Sequence, residues 1–135
     1  MNPFWYEDYL GLPWALGGRD RNGIDCWGLV RLVHKELLGI ELPSWIDDPH
    51  ALDSTFRGRM KAFDAHKHEF LLVPKGEERP FDIASLTING CMWHVGLLVS
   101  RPFNILHIED EEGSVLSDWS RREDFLHFGG FYRAV

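Results

Sequence analysis

The stretch Gly23-Ile24-Asp25-Cys26-Trp27-Gly28-Leu29-Val30-Arg31, read GIDCWGLVR, sets a cysteine directly after an acid at the threshold of an amphipathic segment. From Cys26 onward the apolar residues fall at 26, 29, 30, 33 and 37, the i, i+3, i+4, i+7, i+11 series of one helix face. Arg31, His34, Lys35 and Glu36 occupy much of the other side, where His34 is expected to be solvated. Asp25 suits an N-cap and Gly39 a C-terminal stop, so the spacing predicts a helix over 26–38. A helix start favours negative charge through its unpaired N–H groups and the macrodipole. There a thiol can titrate in the range of about 3.5–7.5 instead of about 8.5, and the thiolate is the nucleophile. Asp25 works against this, since an adjacent carboxylate disfavours a second anion, so a base is needed close by. Gly28 costs about 1 kcal/mol relative to alanine inside a helix. That cost predicts a close approach to the backbone there, by a packed strand or by a substrate.

Upstream, residues 1–22 read as a short aromatic helix or turn followed by the glycine-rich loop LGGRDRNG. Residues 44–68 are mixed, with a turn-rich SWIDDPH and then a helix around Ala51–Phe63; Phe70–Val73 reads as a short strand before PKGEERP. From Ile83 the pattern turns to strands. Ser85–Ile88, the pair Asn89-Gly90 and Cys91–Ser100 read as a hairpin with a primed two-residue turn. Arg101-Pro102-Phe103-Asn104 is a second turn, with proline at its second position. Ile105–Glu109 follows as a strand, and a last one runs over Phe128–Tyr132. Helices first and an antiparallel meander after them make the fold class α+β. With 135 residues the chain is expected to be one domain, 1–135.

A net charge of -7 counts against a nucleic-acid surface. No apolar run approaches the roughly 18 residues of a membrane span. The aromatic and acidic opening MNPFWYEDYLGLPW does not read as a secretory signal, so synthesis in the cytoplasm with Cys26 and Cys91 reduced is the expectation.

His94, in MWHVGLLVS, is the leading base, and His107 on the next strand, in ILHIED, is its candidate orienter. Regular alternation puts His94, Gly96 and Leu98 on one strand face, with Gly96 leaving space for a neighbour. A turn that sets Leu98 opposite His107 leaves His94 four residues along, roughly 13 Å away at about 3.3 Å per residue. A bulge at Gly96 or a different register must then close the gap.

Three motifs in order give the chain a resemblance to a known family. PWALGGRDRNGIDCWGLVRLVHKELLGIELP resembles the nucleophile segment of the NlpC-type cysteine peptidases, papain-like enzymes that cut bacterial cell-wall peptides. HVGLLV and ILHIED resemble its histidine strand and the strand bearing its third polar residue. RDRNGIDCWGLVRL and the closing GGFYR are most similar to versions encoded with phage tail proteins and gene-transfer particles. The resemblance implies an α+β papain-like fold and hydrolysis of the γ-D-glutamyl bond to diaminopimelate or lysine in peptidoglycan stem peptides. It implies Cys26 as nucleophile, His94 as general base and His107 as third residue, with no cofactor and no metal. It further implies a stem-peptide amine contact for Asp25, an oxyanion contact for the Cys26 N–H, and phage tail proteins as partners. Trp27 stands where the family commonly has serine, and Trp14 where it commonly has tyrosine. Both fall among the candidate substrate-binding residues.

Other readings stay open. The same fold can serve as a catalytically silent tail assembly protein, or as a thiol amidase or acyltransferase on another substrate. His66 and His68 form an H-x-H with metal-ligand spacing but no third ligand at a convincing distance. Cys91 beside a turn reads as structural, and the run 109–112 as a solvated acidic turn. Trp5, Tyr6, Trp14, Trp27 and Trp45 divide between a substrate groove and core packing.

Overall fold

In the computed structural model, residues 2–44, 61–109, 112–121 and 127–134 are described. Trp45, His50 and most of the helix expected around Ala51–Phe63 lie outside them. A 3-10 turn over Trp5–Tyr9 opens the chain, and a two-stranded ribbon follows, β1 (Arg19–Asp20) with β2 (Gly23–Ile24). Helix α1 (Cys26–Val33) comes next, and α2 (Lys61–His66) after it. The main sheet then takes β3 (Leu71–Leu72), β4 (Ile83–Ile88), β5 (Cys91–Ser100), β6 (Asn104–Glu109), β7 (Gly113–Asp118) and β8 (Phe128–Arg133). Its order is β3-β8-β4-β5-β6-β7 and every pairing is antiparallel. This is the expected α+β class, with β8 returning to pair with β4 on the side away from β5.

Helix α1 forms where the apolar spacing puts it. The Asp25 carboxylate accepts the Gly28 N–H, and Cys26, Leu29, Val30 and Val33 are buried. The helix does not run unbroken to 38: His34–Leu38 form a π-type turn that ends at Gly39 in the left-handed region, φ 66°. His34 is buried, with Nδ1 against the Val30 carbonyl at 2.8 Å. The expectation of a solvated His34 is therefore corrected. It follows Val30 by four residues and Cys26 by eight, which is the buried stripe itself.

Val95, Leu97 and Val99 of β5 and Leu106 and Ile108 of β6 pack with α1 in one hydrophobic cluster. Leu98, Ile105, Ala84, Leu86, Phe131 and Trp119 form a second. Strands buried on both faces read as continuous apolar runs, which is why VGLLV shows so little polar alternation. The Asn89-Gly90 turn is as expected, both residues having positive φ (52° and 79°) and Ile88 pairing with Cys91. The next turn contains a cis Arg101–Pro102 bond.

Two irregularities in β5 position the residues that matter. Leu86 pairs with His94 but Thr87 with Met92, so Trp93 is an extra residue just before His94. Leu98 pairs with Ile105 but Ser100 with Asn104, so Val99 is extra as well. The expected register with Leu98 opposite His107 is thus corrected by two residues. Extending the observed pairs brings His107 across from Gly96, only two residues from His94.

Candidate active site

Cys26 opens α1 and is buried against β5, where the Val95 N–H and the Trp27 N–H both hydrogen-bond to its sulfur. Val95 directly follows His94, so helix start and histidine strand meet at this point. The buried His94 and His107 rings are joined, His94 Nε2 to His107 Nδ1 at 2.9 Å. Gly96 makes this possible. A Cβ there would stand 3.0 Å from His107 Cβ, 2.8 Å from the Leu106 oxygen and 2.6 Å from Ile105 Cγ2. The space expected beside Gly96 is filled by the neighbouring strand, and the bulge that re-aims His94 sits at Trp93. Trp93 stacks on His94 at 5.3 Å, and Trp119 touches both histidines, at 5.8 and 5.2 Å between ring centres.

The chain continues through Ser117, whose Oγ lies 2.9 Å from His107 Nε2. If Nε2–H donates to Ser117, His107 Nδ1 is left to accept from His94 Nε2–H, and the lone pair of His94 falls on Nδ1. In this tautomer His94 Nδ1 is open to take up a proton, and an imidazolium at His94 would donate from Nε2 to His107. Burial lowers the pKa of His107 to about 4, so it stays neutral and can accept. A Glu109 carboxylate oxygen lies 3.8 Å from His94 Nε2, a counter-charge for the imidazolium. Ser117, Glu109 and Trp119 were not among the sequence candidates. Ser117 is carried on β7, a strand whose mixed composition hides its pairing with β6. A cleft of about 230 Å³ opens beside His107, walled by Leu86, Glu109, Glu112, Ser117 and Trp119.

The Cys26 thiol does not follow the helix-start expectation. Burial, and then the Asp25 charge, push its pKa up to about 12; the two N–H contacts and Arg19 only partly offset them. The resting group is the neutral thiol.

Asp25 is itself engaged. Its Oδ1 accepts from Gly28 N–H at 2.7 Å and from Arg19 Nη1 at 2.8 Å, and its Oδ2 from Gly17 N–H at 3.0 Å. Of about four acceptor sites on a carboxylate, one remains, on Oδ2. Arg19 is held in turn by the carbonyls of Gly18 and Ser44 and by Ser44 Oγ. The close approach foreseen at Gly28 comes from this same loop. A Cβ there would lie 2.2 Å from the Gly18 oxygen, so the chain's own backbone fills the space and no substrate is needed to explain the glycine.

Trp27 is not brought to the cleft. It is 4% exposed, packs on Phe63 and Phe70, and donates Nε1–H to the Pro43 carbonyl at 2.8 Å. Trp14 is half-buried against the core, bridging Ile24 through its backbone. His66 pairs with Glu69 and His68 is exposed, both remote in sequence from the histidine strands.

The sequence profile of the NlpC/P60 family matches residues 11–121. A segment of 38 residues is 45% identical to the murein DD-endopeptidase MepS/murein LD-carboxypeptidase of Escherichia coli, covering 28% of this chain and 20% of that protein. The match thus spans about a fifth of the curated relative's length. The fold is similar to the NlpC/p60 domain of peptidoglycan hydrolase SagA, at 17% identity and TM-score 0.64 over 100% of both chains. It is also similar to a lipoprotein-like NLP/P60 family protein of Staphylococcus aureus (22%, TM-score 0.68, 95% of this chain and 38% of that one). An NlpC/P60 family protein of Bacillus cereus is a third likeness (18%, TM-score 0.69, 94% and 36%).

Proposed function

Because the chain belongs to the NlpC/P60 family, we propose that it is a cell-wall cysteine peptidase hydrolysing peptidoglycan stem peptides at the γ-D-glutamyl bond to diaminopimelate or lysine. The observation that carries this reading is the ordered chain Ser117–His107–His94, with the Val95 N–H next in the strand meeting the sulfur of Cys26 at a capped helix start. His94 Nδ1 takes the Cys26 proton as sulfur attacks the peptide carbonyl, since the buried thiol is not ionised beforehand. His107 accepts from His94 Nε2–H, and Glu109 offsets the imidazolium charge. The Cys26 N–H at the helix start serves the oxyanion. His94 returns the proton to the leaving amine, and water resolves the thioester. A stem-peptide amine would use the remaining acceptor site of Asp25, with Trp14 bridged through its backbone to neighbouring Ile24. No cofactor enters the scheme.

The likeness of RDRNGIDCWGLVRL and GGFYR to tail-encoded versions supports a setting in a phage tail or gene-transfer particle, with tail proteins as partners. No helix among the described residues is long and apolar enough to cross a membrane.

The test is mass spectrometry of L-Ala-γ-D-Glu-diaminopimelate after incubation with the protein and with Cys26→Ala. Release of L-Ala-D-Glu by the wild type alone is expected. No cleavage of this peptide or of intact peptidoglycan overturns the reading in favour of a silent assembly protein, and cleavage surviving Cys26→Ala removes Cys26 as nucleophile.

A further inference from the structure

His94 Nε2, His107 Nδ1 and a Glu109 carboxylate oxygen all lie within 4.8 Å of one another, and two imidazoles with one carboxylate are a donor set that zinc accepts. We infer that these three residues form a binding site for a divalent transition-metal ion of the zinc class, and that occupancy of the site silences the histidine pair. The silencing, though not the binding, rests on the peptidase reading.

Metal bonds of about 2.05 Å at tetrahedral angles separate neighbouring donor atoms by about 3.3 Å. The two ring nitrogens stand at 2.9 Å and the carboxylate oxygen at 3.8 Å from His94 Nε2. One distance must open and the other close, each by about half an ångström, and each imidazole must turn by about 35° so that its nitrogen faces the metal rather than the other ring. The Glu109 side chain is exposed, with its carboxylate already turned toward His94. The histidines are pre-placed: Trp93 and Trp119 pack on the rings, and Ser117 holds the outer nitrogen of His107, the role a second-shell partner plays in a metal site. The cleft beside His107, with Glu109 and Glu112 on its wall, supplies an acidic entry and room for a water as fourth ligand.

The consequence for chemistry follows from tautomers. A metal on His94 Nε2 leaves the ring's single proton on Nδ1, the nitrogen that must receive the thiol proton. The ring is then unable to act as base, with no change in the net number of protons bound.

The experiment uses the full chain carrying Cys26→Ser and Cys91→Ser, stripped with chelator, so that no thiol ligates. Co²⁺ is titrated by its visible ligand-field absorption and Zn²⁺ by competition. One saturable site per chain is expected, weakened at least about tenfold by Glu109→Gln, the lower end of what even an outer-shell partner contributes. Glu109 is exposed, so this variant folds, and His107→Gln should abolish the band. No saturable band up to millimolar metal, or binding indifferent to Glu109→Gln, overturns the site. On the unsubstituted protein, Zn²⁺ should stop stem-peptide cleavage and chelator should restore it. Cleavage persisting at saturating Zn²⁺ overturns the silencing. Metal binding through Glu109 with no cleavage under any condition would instead leave the site standing and remove the peptidase reading.

Discussion

A thiol at a helix start is ordinarily read as a ready-made thiolate, and Cys26 shows how burial reverses that. Two N–H donors and a nearby guanidinium favour the anion, yet desolvation and the adjacent Asp25 outweigh them and hold the pKa at about 12. With Cys91→Ser as background, iodoacetamide should therefore alkylate Cys26 slowly near neutrality, with a rate that keeps climbing above pH 9. A plateau between pH 5 and 8 would show a preformed thiolate and remove His94's duty as base. Ser117 is the residue-scale counterpart on the acceptor side. Its hydroxyl, accepting from His107 Nε2–H, would support the tautomer whose Nδ1 accepts from His94, through one hydrogen bond worth about 1 kcal/mol or roughly fivefold in rate. Ser117→Ala should lower kcat by about that factor with KM unchanged, and Ser117→Thr should restore most of it. An effect confined to KM would make Ser117 a substrate contact instead. Cys26 and both histidines stood out in the sequence because each sits in a distinctive local pattern, a capped helix start or an apolar strand run. Ser117 carries no such signal: only the register of β6 on β7 makes it a neighbour of His107.

At the scale of elements, α1 was legible from its spacing and caps, and the β4–β5 hairpin from Asn89-Gly90. The meeting of His94 with His107 was not. It depends on extra residues at Trp93 and Val99, and bulges obey tertiary packing, which the alternation of side chains does not record. Nor did the polar label of His34 survive, because helical position decides burial and the imidazole satisfies itself on the Val30 carbonyl. Gly96 is the element-scale test of the histidine geometry. An alanine methyl must push against the backbone oxygen of Leu106 at 2.8 Å as well as against Ile105. Gly96→Ala should cost about 1–3 kcal/mol in urea unfolding and displace His107, so that activity falls further than stability does. Unchanged activity in a folded Gly96→Ala protein would separate His107 from the chemistry. Asp25 joins the β1–β2 loop to α1. Asp25→Ala deletes a cap of about 0.5–2 kcal/mol and strands the part-buried Arg19, so the total loss should reach about 3 kcal/mol, read as the shift in urea midpoint.

Across the whole molecule, the buried titratable groups shape the pH range in which the fold holds. His107 titrates at about 4 when folded and near 6.5 when unfolded, and His34 is shifted the same way by burial. Between those two values the unfolded chain binds a proton that the native one refuses, so stability rises with pH across the window and is lost as pH falls through it. For His107 alone the full loss is about 3 kcal/mol, a large share of the stability of a small domain. Cys26 closes the range from the other side. It titrates at 9.0 when unfolded and about 12 when folded, so above pH 9 the unfolded chain gives up a proton that the native one keeps, and stability falls. Urea midpoints should therefore pass over a broad maximum between about pH 6.5 and 9. His107→Gln should flatten the acid limb, and Cys26→Ser the alkaline one, whatever each does to the height of the maximum. A wild-type midpoint constant from pH 6.5 to 4, or an acid limb as steep in His107→Gln as in the wild type, would mean that His107 is not held neutral and cannot accept from His94. The burial that holds His107 neutral, so that it can accept from His94, thus also sets the acid limit of the fold.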